Sequence, residues 1–174
     1  AIIKPNNNTI SAITALPASI TTGKVLQVVS TTTTAVSSIN SNSDTTTNVT
    51  NLNVSITPSS TSNKIFLIAS VFYGLDDDTY GSLCSVAFAR GSTAIGQGSE
   101  SAASGTVVGI GYTGTNNHVT VPIQFLDSPS TTSATTYHVV CRNHVGGNKT
   151  FYVNGRKNGT QRGASTITAY EIAG

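Results

Sequence analysis

Apolar and polar residues alternate one for one through much of this chain, and that period restricts it to strands with one buried face. Residues 119–142 are the clearest case. Val119, Val121, Ile123 and Phe125 alternate with Thr120, Pro122 and Gln124. A polar run containing Asp127, Ser128 and Pro129 follows, and its residue types favour a turn or loop. Tyr137, Val139 and Cys141 then alternate with His138, Val140 and Arg142. The stretch reads as two antiparallel strands joined by a surface loop.

The rest of the chain repeats this pattern without a helical period. Residues 24–30 (KVLQVVS) read as a strand, and 31–48 as a long Thr/Ser/Asn loop with Val36 and Ile39 as anchors, either an exposed recognition loop or an outer hairpin with a polar face. Residues 49–57 place Leu52, Val54 and Ile56 inward and Asn51, Asn53 and Ser55 outward. Residues 64–73 (KIFLIASVFY) are apolar on both faces, which predicts a central strand or one covered by a partner subunit. Residues 83–90, with Cys84, Val86 and Phe88 on one face, turn at Gly91 into Ala94 and Ile95. A glycine-interrupted strand covers 106–112. Residues 143–148 read as a hairpin loop before a short strand at 150–154, and Asn154-Gly155 and Asn158-Gly159 are turn dipeptides. A final strand covers 164–172. Eight or nine short strands with regular turn signals predict an all-β fold, an antiparallel β-sandwich of jelly-roll type. The sandwich is expected over residues 24–174.

Residues 1–23 have no clear period, yet Ile2, Ile3, Ile10, Ile13, Leu16 and Ile20 are too apolar for a solvated tail. The expectation is an extended N-terminal arm that docks on a neighbouring subunit or a larger assembly; the alternative is an edge strand of the chain's own sandwich. The start, Ala1-Ile2-Ile3-Lys4, reads as a product trimmed of an initiator Met.

Composition narrows the function classes. Charged residues are only 9% of the chain, against about 25% in typical soluble domains. The net charge of +2 is spread singly, with no basic stripe, so nucleic acid is not an expected partner. The longest apolar run, at 65–73, suits a buried strand and is too short for a membrane-spanning helix, so membrane insertion is not expected. Two cysteines, Cys84 and Cys141, match no metal motif and read as buried thiols, or as a disulfide between neighbouring strands.

Sites of chemistry are few. Asp76-Asp77-Asp78 is the one acidic run and a weak calcium candidate, since neighbouring side chains of an extended chain point apart. His118 and His138 would meet if their strands paired, making a metal or proton site conceivable; His144 falls in a loop. Asp127 near His138 in sequence invites a Ser/His/Asp reading, but no G-x-S-x-G elbow accompanies it. The expectation is a protein that is not an enzyme and needs no cofactor. Tyr152 and Arg156, in a stretch rich in Asn and Gly, form a candidate glycan loop; the alternative is a solvated hairpin with Tyr152 on the core face.

Five segments carry a family likeness: GKVLQVVST (23–31), SNKIFLIASV (62–71), ARGSTAIGQG (89–98), FLDSPSTTSATTYHV (125–139) and GASTITAYEI (163–172). In this order they resemble small virion structural proteins of tailed bacteriophages, especially marine and cyanobacterial phages. The resemblance implies a structural or host-contact role on the particle surface, as a capsid-decoration protein or a fibre or appendage subunit. It also implies a homotrimer, and the arm at 1–23 would bind other virion proteins. Two rival expectations remain. One is a receptor-recognition module that binds host-surface polysaccharide. The other is a filament or adhesin subunit that donates its arm as a strand to the next copy.

Overall fold

The computed structural model describes residues 24–41, 46–75, 83–96, 108–112, 118–143, 149–156 and 160–174. The arm at 1–23, Asp76, Asp77, Asp78 and His144 lie outside them. The described residues contain strands and no helix: β1 (Val25–Thr33), β2 (Ser37–Ser41), β3 (Thr46–Ile56), β4 (Lys64–Leu75), β5 (Leu83–Arg90), β6 (Thr93–Ile95), β7 (Val108–Tyr112), β8 (His118–Asp127), β9 (Thr135–Asn143), β10 (Lys149–Val153) and β11 (Ser165–Ile172).

They form an antiparallel β-sandwich. In sheet A, β4 is central, with β8 along one edge and β11 followed by β10 along the other. Beyond these, β1 pairs β11 and β2 pairs β10. In sheet B the order is β3-β9-β5, and the far edge of β5 is shared by β6 and β7. Alternation decides what fills the space between the sheets. Ile65, Leu67, Ala69, Val71 and Tyr73 of β4 and Ile167 and Ala169 of β11 face Val54, Ile56, Phe88, Tyr137 and Val139 of sheet B, and all are buried. Each large side chain so buried contributes about 1.5–3 kcal/mol.

The two-faced apolar character of β4 is explained by its place, paired along both edges at the middle of sheet A. Pro122 is tolerated in β8 because β8 is an edge strand, where a missing N–H interrupts no second ladder. In β3, Val49 and Leu52 are both buried although three residues apart. The register with β9 slips between Asn48 and Asn53, and Asn51 sits in the left-handed region at φ 59°, which resets the phase of the alternation.

Three expectations need correction. The strands at 119–125 and 137–142 are not a pair: β8 lies in sheet A against β4, and β9 lies in sheet B between β3 and β5. The connection at 143–148 is likewise no hairpin, because β9 and β10 belong to different sheets. The segment at 31–48 is largely strand rather than loop: β1 runs on to Thr33, β2 follows, and β3 begins at Thr46. Thr is a good strand residue, and Ile39 of β2 reaches the core.

Candidate functional site

The histidines are separated by the correction to the strand pairing. His118 stands opposite Gly74 on the outer face of sheet A, with its ring 4.8 Å from that of Phe72. His138 follows core-facing Tyr137 and so points out of sheet B, on the other side of the molecule. The two do not form a joint site. No group of three or more His, Cys, Asp or Glu side chains comes together among the described residues. Cys141 is fully buried on the inner face of sheet B.

Asp127 does not approach His138 as a triad partner either. It is buried at the end of β8, in phase with Val121 and Ile123. Its carboxylate accepts a 2.7 Å hydrogen bond from the Tyr137 hydroxyl and bonds from Arg90 Nη1 at 3.0 and 3.2 Å. Since β8 is in sheet A while β5 and β9 are in sheet B, this group ties the two sheets together. Burial, then the hydrogen bond and charge of Asp127, push the Tyr137 phenol well above the usual tyrosine range. The phenol therefore stays a neutral donor. Tyr137→Phe keeps the ring in the core and removes the donor; a loss of about 1 kcal/mol is expected, read from the midpoint of chemical denaturation. An unchanged midpoint would show that the bond contributes nothing.

The outer face of sheet A is where the chain exposes apolar surface. Register places Val28, Tyr170, Phe66 and Leu126 in one row across β1, β11, β4 and β8. The Phe66 and Tyr170 rings lie 6.3 Å apart. The next row holds Ser30, Thr168, Ile68 and Gln124, and the one after it Thr32, Thr166, Ser70 and Pro122. No residue in these three rows is charged. Val28 is 53% exposed, Leu126 47% and Ile68 39%. A shallow hollow of about 290 Å³ opens beside Ile68, lined among the described residues by Pro122, Ile123 and Gln124. Contiguous exposed apolar surface of this kind marks a contact face more often than scattered single residues do.

At the other end of the same face, β10 and β11 run along one line, interrupted by the excursion that begins at Asn154. Asn154 is fully buried at φ 60° and closes the interruption. Its amide donates to the carbonyls of Thr33 and Ala35, in the gap between β1 and β2, at 2.9 and 3.1 Å. Its Oδ1 accepts from the Ser165 hydroxyl at 2.7 Å, and that hydroxyl accepts from the Phe72 N–H at 2.9 Å. Its own N–H donates to the Phe72 carbonyl at 2.8 Å. One side chain thus joins both broken strands and β4.

The excursion lies closely on β4. A Cβ at Gly163 would fall 2.4 Å from the Phe72 ring, and one at Gly74 would fall 2.9 Å from Arg156 Cβ. Arg156 therefore sits over Gly74. Tyr152, opposite Gly74 and Ser38, faces outward, because its neighbours Phe151 and Val153 are the buried ones. The alternative that put Tyr152 on the core face is thereby corrected, and Tyr152, Arg156 and His118 share the outer face around Gly74.

A second buried anion lies at the end of β11. Glu171 is 2% exposed. Its Oε1 accepts from Asn63 Nδ2 at 2.6 Å, the Ser59 N–H at 2.6 Å and the Ser59 hydroxyl at 2.7 Å. Asn63 Oδ1 in turn accepts from the Gly174 N–H. Burial alone would raise this carboxyl's pKa, but the bonds from Asn63 and Ser59 outweigh it and hold it below its ordinary value near 4.5. The group fastens the turn between β3 and β4 to the end of the chain. Sequence reasoning passed over Glu171, read Asn154 only as half of a turn dipeptide, and gave Asp127 a triad reading instead of its bonds to Arg90 and Tyr137. The signal was present for two of them: Glu171 is in phase with inward Ile167 and Ala169, and Asp127 with inward Val121 and Ile123. A charge at an inward position of a strand needs buried partners.

No protein-family model matches this chain, and no curated protein matches it.

Proposed function

We propose that the chain is a non-enzymatic structural subunit of a tailed-phage virion, a capsid-decoration or fibre or appendage protein that assembles as a homotrimer. The observation that carries the assembly part is the set of three charge-free rows on the outer face of sheet A, with Val28, Ile68 and Leu126 open to solvent. The phage part rests on the sequence resemblance. The strand order supports reading the sandwich as a jelly roll. Joining β1 with β2, β6 with β7 and β10 with β11 leaves eight strands, ordered 1-8-3-6 in one sheet and 2-7-4-5 in the other. Successive strands then mostly alternate between sheets, as two wrapped Greek keys require. A hydroxyl-rich, weakly charged exterior would make a particle surface little affected by salt.

Light scattering on the purified chain tests the assembly. A mass of three times the 17.8 kDa of one chain is expected, and one chain at every concentration would remove the reading. Labelling of intact particles by an antibody against the chain tests the virion location. A second reading, contact with host-surface polysaccharide, is favoured by the outward Tyr152 beside Arg156. It predicts binding of the chain to host lipopolysaccharide that Tyr152→Ala abolishes.

A further inference from the structure

We infer that the outer face of sheet A in one copy is covered by the N-terminal segment, residues 2–20, of a second copy. The inference rests on the homo-oligomer reading above and names what closes the contact.

Three observations converge on this occupant. The first is chemical. The three rows around Phe66, Ile68 and Ser70 carry no charge. The segment has one charged residue, Lys4, against Ile2, Ile3, Ile10, Ile13, Leu16 and Ile20. The face rows offer no charge to pair with Lys4, so apolar burial is the available attraction.

The second is direction. The ladder between β1 and β11 continues one step past Val25, because the Ala173 N–H donates to the Lys24 carbonyl at 2.9 Å. Lys24 is therefore still aligned with β1, at the end of sheet A. A segment continuing in that direction would run off the end of sheet A toward a neighbour, whereas covering its own outer face would need a reversal between Ile20 and Lys24.

The third is length. Four strands span roughly 14 Å between the outermost two, while the 11 residues from Ile10 to Ile20 reach roughly 35 Å when extended. A segment of that reach crosses the whole apolar row.

Complementation between two full-length variants tests the inference. One carries Ile10→Lys, Ile13→Lys and Leu16→Lys; the other carries Ile68→Lys and Leu126→Lys, both at exposed positions of the sheet. Circular dichroism checks that each variant folds. Each alone is expected at the mass of one chain, and an equimolar mixture is expected to regain a species of two chains, in which one intact segment meets one intact face. Two results would overturn the inference and leave the oligomer reading standing. In one, the segment variant assembles like the parent while the face variant does not, so that like faces pack together. In the other, both variants are single chains and mixing restores nothing. A parent chain that is itself single at every concentration removes both.

Discussion

Asn154→Ala is expected to cost about 3–5 kcal/mol of folding stability, the largest effect of any polar substitution considered for this chain. Two carbonyls, those of Thr33 and Ala35, lose their donor, and the buried Ser165 hydroxyl loses its acceptor. Leaving buried polar groups unpaired costs about 1–3 kcal/mol for each group fully cut off from water. Alanine also tolerates φ 60° less well than asparagine does. Asn154→Gly separates the two causes. It relieves the backbone but not the bonds, so it should recover only about 1 kcal/mol of the loss. Asn154→Asp keeps the acceptor for Ser165 but turns a carboxylate oxygen toward the two carbonyls, and it should be as damaging as alanine. The midpoint of urea denaturation gives the totals, and amide exchange at Phe72 reports whether the splice opens locally. A loss below 1 kcal/mol for Asn154→Ala would show that the broken strands are held by their ladders and not by this side chain.

Glu171→Ala is expected to cost about 2–3 kcal/mol at neutral pH, because one N–H of the buried Asn63 amide loses its acceptor and keeps only the neighbouring bond to the Ser59 hydroxyl, while Ser59, more exposed, finds water. The pH dependence distinguishes this group from a merely well-packed side chain. Its carboxyl is held below the ordinary value near 4.5 in the folded state. A group depressed in this way adds stability that is fully present above the unfolded pKa and is lost as pH falls through the folded pKa. The native protein should therefore weaken progressively from about pH 5 downward, in part through this residue. Glu171→Gln keeps the shape without the titration. Its deficit relative to the native chain should be largest at neutral pH and should shrink below pH 4. Denaturation series at pH 7, 5 and 3 check this, and a deficit constant across that range would mean that the charge of Glu171 contributes nothing.

The parts of the fold legible in the sequence are those in which each residue reports its own surroundings. Leu52, Val54 and Ile56 read as inward and are buried; the two-faced run at 64–73 reads as central and is paired along both edges. Asn154-Gly155 reads as a turn, and the chain does turn there. What the turn leads to was not legible. It opens an excursion after which the chain rejoins the same line at Ser165, because the hydrogen bonds that close the gap go to residues more than 100 positions away, at the end of β1 and just after it. The run at 31–48 misleads for a related reason. Its Thr, Ser and Asn suit a loop, and a ladder to β10 makes the 37–41 part a strand.

Pairing is what alternation cannot encode. Residues 119–125 and 137–142 each carry the period of a strand, and the polar run between them looks like a hairpin loop, yet the connection crosses from one sheet to the other. The same crossing places His118 and His138 on opposite faces and brings Asp127 to Arg90 and Tyr137 instead. By itself the sequence determined that the chain is all-β, which residues of each strand seek the interior, and that its exterior is hydroxyl-rich and nearly uncharged. These follow from composition and a period of two, which are local. Only the tertiary structure decided the partners of each strand, the bonds that satisfy Glu171 and Asn154, and the three charge-free rows left open on sheet A. Those depend on how two sheets close over one core, and that closure minimises exposed apolar surface across the whole chain rather than within any one stretch of it.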